Sequence, residues 1–382
     1  MREVSKGNLR VLKMKTRNSL PSYRLLCATL FLAYVLFSQL GGRSAKDGKV
    51  IEYPTSCRGT NFNISRDCHK KILTYHPSPW EDEWMLSIPS IAVDNSLAWE
   101  TGCAKVRRDK AKGMSLISMI QNRAQGKLTA DADISILSYH EVLDTCTEVI
   151  GRVYIEPLVS FLRHPLAHCV EPDGFKKNGV LDKSYLLVPS ASEVRFAHTT
   201  NWLFDIGSGV YSTADPSGHG AREGSSQAWF VETFRDRGII FDRILAWEAE
   251  EMKPSLQWTS IPDDVKRITS WYNIPVQSEK GHSDNPWSFI KNLVAEQDYV
   301  VVKLDIDTPG VEIPLVQQLL SDPVLLELVD EFFFEHHTNG NPMQHMGWGD
   351  LTQSEEELSS ITDSYTLFSE LRHRGVRAHS WI

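Results

Sequence analysis

Apolar and polar positions divide the chain into stretches of different character. Leu25 to Leu40 contains no charged residue, and with Tyr23 and Gly41-Gly42 the apolar run reaches about 20 residues, the length that spans a bilayer. Residues 43 to about 130 lack sustained periodicity and carry scattered aromatics (Tyr53, Trp80, Trp84, Trp99) and a basic cluster from Lys105 to Lys112. Between Ile134 and Leu162, the residues Leu137, Val142, Leu143, Val149, Ile150, Val153 and Tyr154 recur at helical spacing, predicting a helix that Pro157 kinks or ends. From about Tyr185 short hydrophobic runs alternate with amphipathic segments. Strands are predicted at Trp202–Ile206, Arg243–Trp247, Ile268–Ile274, Tyr299–Ile306, Glu331–His336 and Val376–Trp381. Helices are predicted at Ser225–Arg237, Pro286–Val294, Glu312–Leu320 and Ser364–Arg374. That alternation predicts an α/β fold with a Rossmann-like, doubly wound, mostly parallel sheet, preceded by a transmembrane helix and a mainly helical or irregular N-terminal region.

Charge gives the apolar run a direction. The first 24 residues hold seven Lys/Arg against one acid, Glu3. A long basic region before a long apolar run predicts a signal anchor rather than a removable signal peptide, although cleavage near Gly42 to Ala45 is the alternative. The expected organisation is a cytosolic basic tail (1–22), a transmembrane anchor (23–42), a luminal stem and helical cap (43–184) and the α/β domain (185–382), in a single-pass type II protein of the Golgi or endoplasmic reticulum. The single sequon, Asn63-Ile-Ser65, falls on the luminal side. So do Cys57, Cys68, Cys103, Cys146 and Cys169, enough for two disulfides in an oxidising lumen, with Cys57 and Cys68 a plausible local pair. The formal net charge is −9; since the first 24 residues carry +6, the remainder carries −15, which argues against a nucleic-acid partner.

The candidate chemistry gathers at the predicted strand ends, where ligands bind in open α/β sheets. Asn201-Trp-Leu-Phe-Asp-Ile-Gly-Ser-Gly209 is a strand ending in Asp205, followed by Gly207 and Gly209, where the backbone can approach a ligand closely; a tight turn without a ligand would read the same way. Asp242-Arg-Ile-Leu-Ala-Trp-Glu248 ends in Glu248, placed to hydrogen-bond a ribose hydroxyl pair, with Trp247 or Met252 able to flank an adenine. Asp298-Tyr-Val-Val-Val-Lys-Leu-Asp-Ile-Asp307 is a buried strand that delivers Asp305 and Asp307, before Thr308-Pro-Gly310 breaks it. Asp330-Glu-Phe-Phe-Phe-Glu-His-His337 places Glu335 and His337 on one face and His336 on the other; either histidine can serve as a general base or be purely structural. With strand order 3-2-1-4-5, Asp205, Asp305 and the histidines converge at one edge, with Glu248 on the other side of Gly207.

Phe204-Asp-Ile-Gly-Ser-Gly209, Ala246-Trp-Glu248 and Val302-Lys-Leu-Asp-Ile-Asp-Thr-Pro-Gly-Val-Glu312 together are similar to the methyltransferase family known as FkbM, over about residues 200 to 340. The resemblance implies that Asp205, Gly207, Gly209 and Glu248 contact S-adenosylmethionine, and that Asp305 faces the reaction. From the strand ends themselves, Asp305 or a fifth-strand histidine, His336 or His337, is expected to remove the proton. The resemblance implies O-methylation of a hydroxyl-bearing acceptor, glycans included; the expected convergence of the strand ends itself requires no metal. Two departures stand out. Asp307-Thr-Pro-Gly310 replaces the family's Glu-Gly, and the loop after Gly209 is longer than a standard cofactor loop. Two other readings remain. In one, Asp305 and Asp307 are the divalent-metal pair of a type II membrane glycosyltransferase. In the other, the chain is a non-catalytic scaffold on a methyltransferase-like fold.

Overall fold

The structure is a computed structural model that describes residues 70–91, 95–124, 134–166, 182–194, 200–211, 226–338 and 359–381. The predicted anchor at 23–42, the sequon, and Cys57, Cys68 and Cys169 lie outside the described residues. Among the described residues no helix is long and apolar enough to cross a membrane. Residues Ile64–Ile382 form one compact unit.

Its centre is a six-stranded parallel sheet of β4 (Asn201–Ile206), β5 (Arg243–Trp247), β6 (Thr269–Tyr272), β7 (Tyr299–Leu304), β8 (Glu331–Phe334) and β9 (Arg377–Ser380). The spatial order is β6-β5-β4-β7-β8-β9, a Rossmann-like arrangement whose direction reverses between β4 and β7. All six residues of β7 are buried, because helices cover both faces of a central parallel strand. Side chains alternate across the sheet and divide into two apolar layers. Phe204, Trp247, Val300, Val302, Leu304, Phe332 and Phe334 face one way, toward α6 (Pro286–Leu293), α7 (Pro309–Ser321), α8 (Pro323–Leu328) and α9 (Ile361–His373). Leu203, Ile244, Tyr299, Val301, Phe333 and Trp381 face the other, toward α4 (Ser226–Asp236).

The N-terminal part departs from the predicted pattern. A three-stranded antiparallel sheet, β1 (Lys70–His76), β2 (Ser138–Asp144) and β3 (Val149–Ile155), accompanies α1 (Pro79–Ile91), α2 (Asn95–Arg108) and α3 (Lys110–Ala124). The helix expected over Ile134–Leu162 is therefore a β-hairpin. The Asp144 side chain accepts hydrogen bonds from the backbone N–H groups of Cys146 and Thr147, and Glu148 takes a positive φ of 57°, which closes the turn. Trp80, Trp84, Val106 and Leu116 of this region share one apolar core with the sheet, so the core runs across residue 185.

Beneath that core lies a balanced ionic network. His379 bridges Glu156 (2.8 Å) and Glu331 (2.6 Å). Arg377 pairs with Glu331 (2.6 Å) and Arg372 with Glu156 (3.1 Å). Arg372 also donates to the Tyr75 hydroxyl (2.9 Å), which donates in turn to Glu81. Three carboxylates meet three basic side chains, all buried, and tie the antiparallel layer to the edge of the parallel sheet.

Candidate functional site at the carboxyl edge of the sheet

Lys303 organises the site. Alternation along β7 puts it on the α4 face, together with Asp205 of β4, its register partner. The ammonium is 1 % exposed and lies 3.8 Å from Asp205 Oδ1 and 3.0 Å from Asp305 Oδ2. It also donates to the carbonyl oxygens of Gly207 and Asp305. Burial alone would lower its pKa, but the two carboxylates outweigh burial and raise it. One cation thus fixes the ends of β4 and β7 and the glycine turn between them.

Asp205 is fully buried, and both its oxygens accept from Ser226 Oγ (3.1 Å each). It sets where α4 begins relative to β4, and burial raises its pKa. Gly207 has φ +84°, and a Cβ there would lie 1.6 Å from the Asp305 carbonyl oxygen. Its close approach is to the neighbouring strand. Gly209, at φ +60°, has open space where a Cβ would be. Glu248, half-buried at the end of β5, accepts from the N–H of Gly209 (3.0 Å) and of Glu250 (2.8 Å), which seats its carboxylate above the turn. Trp247 is core, stacked on Tyr272 with ring centroids 5.0 Å apart. Met252 is half-buried beside Asn273, whose side chain accepts from its backbone N–H.

Asp305 is partly exposed and firmly held. Lys303 and the Trp381 indole N–H (3.1 Å) both engage Oδ2. Burial would raise its pKa, but Lys303 and a hydrogen bond with Glu335 overcome this and hold the carboxyl below its usual range. Glu335, buried beside it, moves the opposite way: burial first and the Asp305 charge second push it well above the usual range.

The two histidines part. His337 lies on the face of Glu335, with Nε2 3.6 Å from Asp307, 3.9 Å from Glu335 and 4.0 Å from Glu312. Burial lowers its pKa, leaving a neutral imidazole. His336 turns to the other face and stacks on Phe334 (5.3 Å), which packs against Phe368 of α9. Burial brings it down to about 4. Asp307 sits in the turn before α7 at φ +51°, and Glu312 of α7 closes that turn by accepting from the Ile306 N–H (2.8 Å). Burial pushes Glu312 up to about 8 and raises Asp307 as well.

The predicted residues Asp205, Gly207, Gly209, Glu248, Asp305 and His337 thus meet along the ends of β4, β5, β7 and β8, whereas His336 lies across the sheet. Sequence reasoning missed the part played by Lys303, Glu312 and Trp381. A lysine within a run of valines was the available signal, since a buried charge requires a partner. The cavity of about 140 Å³ bordered by Val231, Arg235, Phe241 and Val265 lies near the amino ends of β5 and β6, away from these groups. Compared with protein-family models, curated proteins and solved structures, the chain matches none.

Proposed function

We propose that this chain is an S-adenosylmethionine-dependent O-methyltransferase of the secretory lumen, acting on a hydroxyl-bearing acceptor such as a glycan. The observation that carries this reading is the Gly207–Gly209 turn at the switch point of the sheet with Glu248 seated above it. Open space at Gly209 lets a ligand reach the backbone. The Glu248 carboxylate accepts two N–H groups and keeps lone pairs for a ribose diol. These residues fit the cofactor, which when bound supplies an electrophilic methyl group.

The chain's own residues would position the acceptor and take its proton. Asp305, oriented by Lys303 and Trp381, is a fixed hydrogen-bond acceptor for the hydroxyl. Its lowered pKa makes it a weak base. His337, neutral and with Nε2 unpartnered, is the better proton acceptor. Asp205 and Lys303 hold the turn from beneath. The disulfide-bonded Cys103 and Cys146 support a luminal setting. Asp305 and Asp307 as a metal pair for glycosyl transfer suit the geometry less well, because Lys303 and Trp381 already engage Asp305.

Isothermal titration of the purified full-length protein with S-adenosylmethionine tests the reading. Saturable heat is expected, weakened about ten- to hundredfold in Glu248→Gln, where a charged acceptor is lost. Absence of heat at millimolar cofactor would overturn it.

A further inference from the structure

We propose that Asp307, Glu335 and His337, supported by Glu312, form a binding site for a divalent cation of the Mn²⁺ type. One ligand atom from each of Asp307, Glu335 and His337 can be chosen so that all lie within 4.8 Å of one another. In an octahedral shell with bonds of about 2.1 Å, adjacent ligand atoms lie about 3 Å apart and opposite ones about 4.2 Å apart. The separations of 3.6 Å from His337 Nε2 to Asp307 Oδ1 and 3.9 Å to Glu335 Oε2 need only a small contraction.

Glu312 gives an independent reason to place a ligand there. Its residue is 1 % exposed, and its Oε2 has no hydrogen-bond partner and lies 4.0 Å from His337 Nε2. The other oxygen, Oε1, is held by the Ile306 N–H, so Oε2 is fixed toward the cluster. His337 is 6 % exposed and its Nε2 likewise has no hydrogen-bond partner. Leaving two buried polar atoms unmet is unfavourable, and a cation coordinated by both would remove that cost.

The charges leave room for it. Among the described residues, no lysine or arginine nitrogen lies within 4.0 Å of a carboxylate oxygen of Asp307 or Glu312. Lys303 is committed to Asp205 and Asp305. Arg163 lies 3.9 Å from Glu335 Oε1, whereas Oε2 is the oxygen near His337. Carboxylates joined by one imidazole, with no thiolate, suit Mn²⁺ better than a structural Zn²⁺ site. Asp307 is the exposed member, so part of the shell is open, and an acceptor's hydroxyl oxygens would complete it; with the ion bound, His337 Nε2 is a ligand and the hydroxyl proton passes to Asp305 instead. That role in positioning the acceptor rests on the function proposed above; binding of the ion does not.

The test is titration of the full-length protein, stripped with EDTA and freed of it, with Mn²⁺, following the free aquo ion by electron paramagnetic resonance. A single saturable site per chain is expected. Asp307→Asn removes the charge but keeps a residue that tolerates positive φ, and should weaken binding about tenfold or more, as should His337→Gln. No binding at millimolar Mn²⁺, or binding unchanged in both variants, would overturn the site. If His337→Gln does not fold, the exposed Asp307→Asn decides alone. Repeating the S-adenosylmethionine titration in EDTA separates the two proposals. Cofactor binding without Mn²⁺ binding overturns the cation site and leaves the cofactor reading. Mn²⁺ binding without cofactor binding does the reverse.

Discussion

At Gly207 a Cβ would collide with the Asp305 carbonyl, whereas two residues on, at Gly209, it would meet nothing. The two glycines look alike in the sequence and do different work: one lets two strand ends touch, the other leaves room above the turn. Gly207→Ala combines a backbone clash with a positive φ and should cost about 2 to 5 kcal/mol in urea unfolding. Gly209→Ala bears only the left-handed conformation and should cost about 1 kcal/mol. In calorimetry, however, Gly209→Ala should bind S-adenosylmethionine more weakly than the wild type. Equal losses of stability in the two variants would refute the distinction. At this scale the sequence revealed residues whose chemistry is local. Asp205, Gly207, Gly209, Glu248 and Asp305 stand at strand ends that the hydrophobic pattern marks directly. Trp381 was not legible, because it reaches Asp305 from 76 residues away. Glu312 was hidden for another reason: an acid in the first turn of a helix looks the same whether it faces solvent or turns inward.

The elements of the parallel sheet were legible because burial on both faces writes continuous apolar runs such as Tyr299-Val-Val-Val. The hairpin of β2 and β3 was not. Its fully buried positions on β2 are Ser138, His140 and Val142, two of them polar, so the inward face carries no apolar alternation. Ser138 donates to Glu81 and His140 lies 3.2 Å from the Arg372 carbonyl; polar bonding takes the place that hydrophobicity holds in most strands. The turn, Thr145-Cys-Thr-Glu148, contains no glycine, proline or asparagine and so carries no strong break signal. Asp144 supplies the missing punctuation. Asp144→Ala should lower stability by about 1 kcal/mol, measured by thermal melting with the disulfide of Cys146 intact. No change at all would mean that the disulfide alone sets the turn.

At the scale of the whole molecule, the ionic network gives stability a pH dependence of definite sign. Burial lowers the pKa of His379, but Glu156 and Glu331 outweigh it and raise it above the usual value. A raised histidine stabilises fully below its unfolded pKa of about 6.5, and that contribution is lost as pH rises through the folded value. Glu156 is depressed against its own burial by His379 and Arg372, so its share is present above about pH 4.5 and lost as pH falls through the folded value. Asp330 and Glu312, both pushed up to about 8 by burial, also erode stability as pH rises, between about pH 4 and 8. Denaturant unfolding should therefore show stability declining above pH 6.5, and His379→Gln should flatten that slope; an unchanged slope would mean that His379 is neutral in the fold. The same network also has a consequence in time. Tyr75 is bound to an arginine 297 residues later in the chain. At about 5 to 20 residues per second, a ribosome takes about 15 to 60 s to deliver that partner. Throughout that interval the emerging β1 and α1 lack the guanidinium that receives Tyr75 and Glu81. The antiparallel layer can therefore complete its ionic bonds only after Arg372 has left the ribosome, long after its own strands have been made.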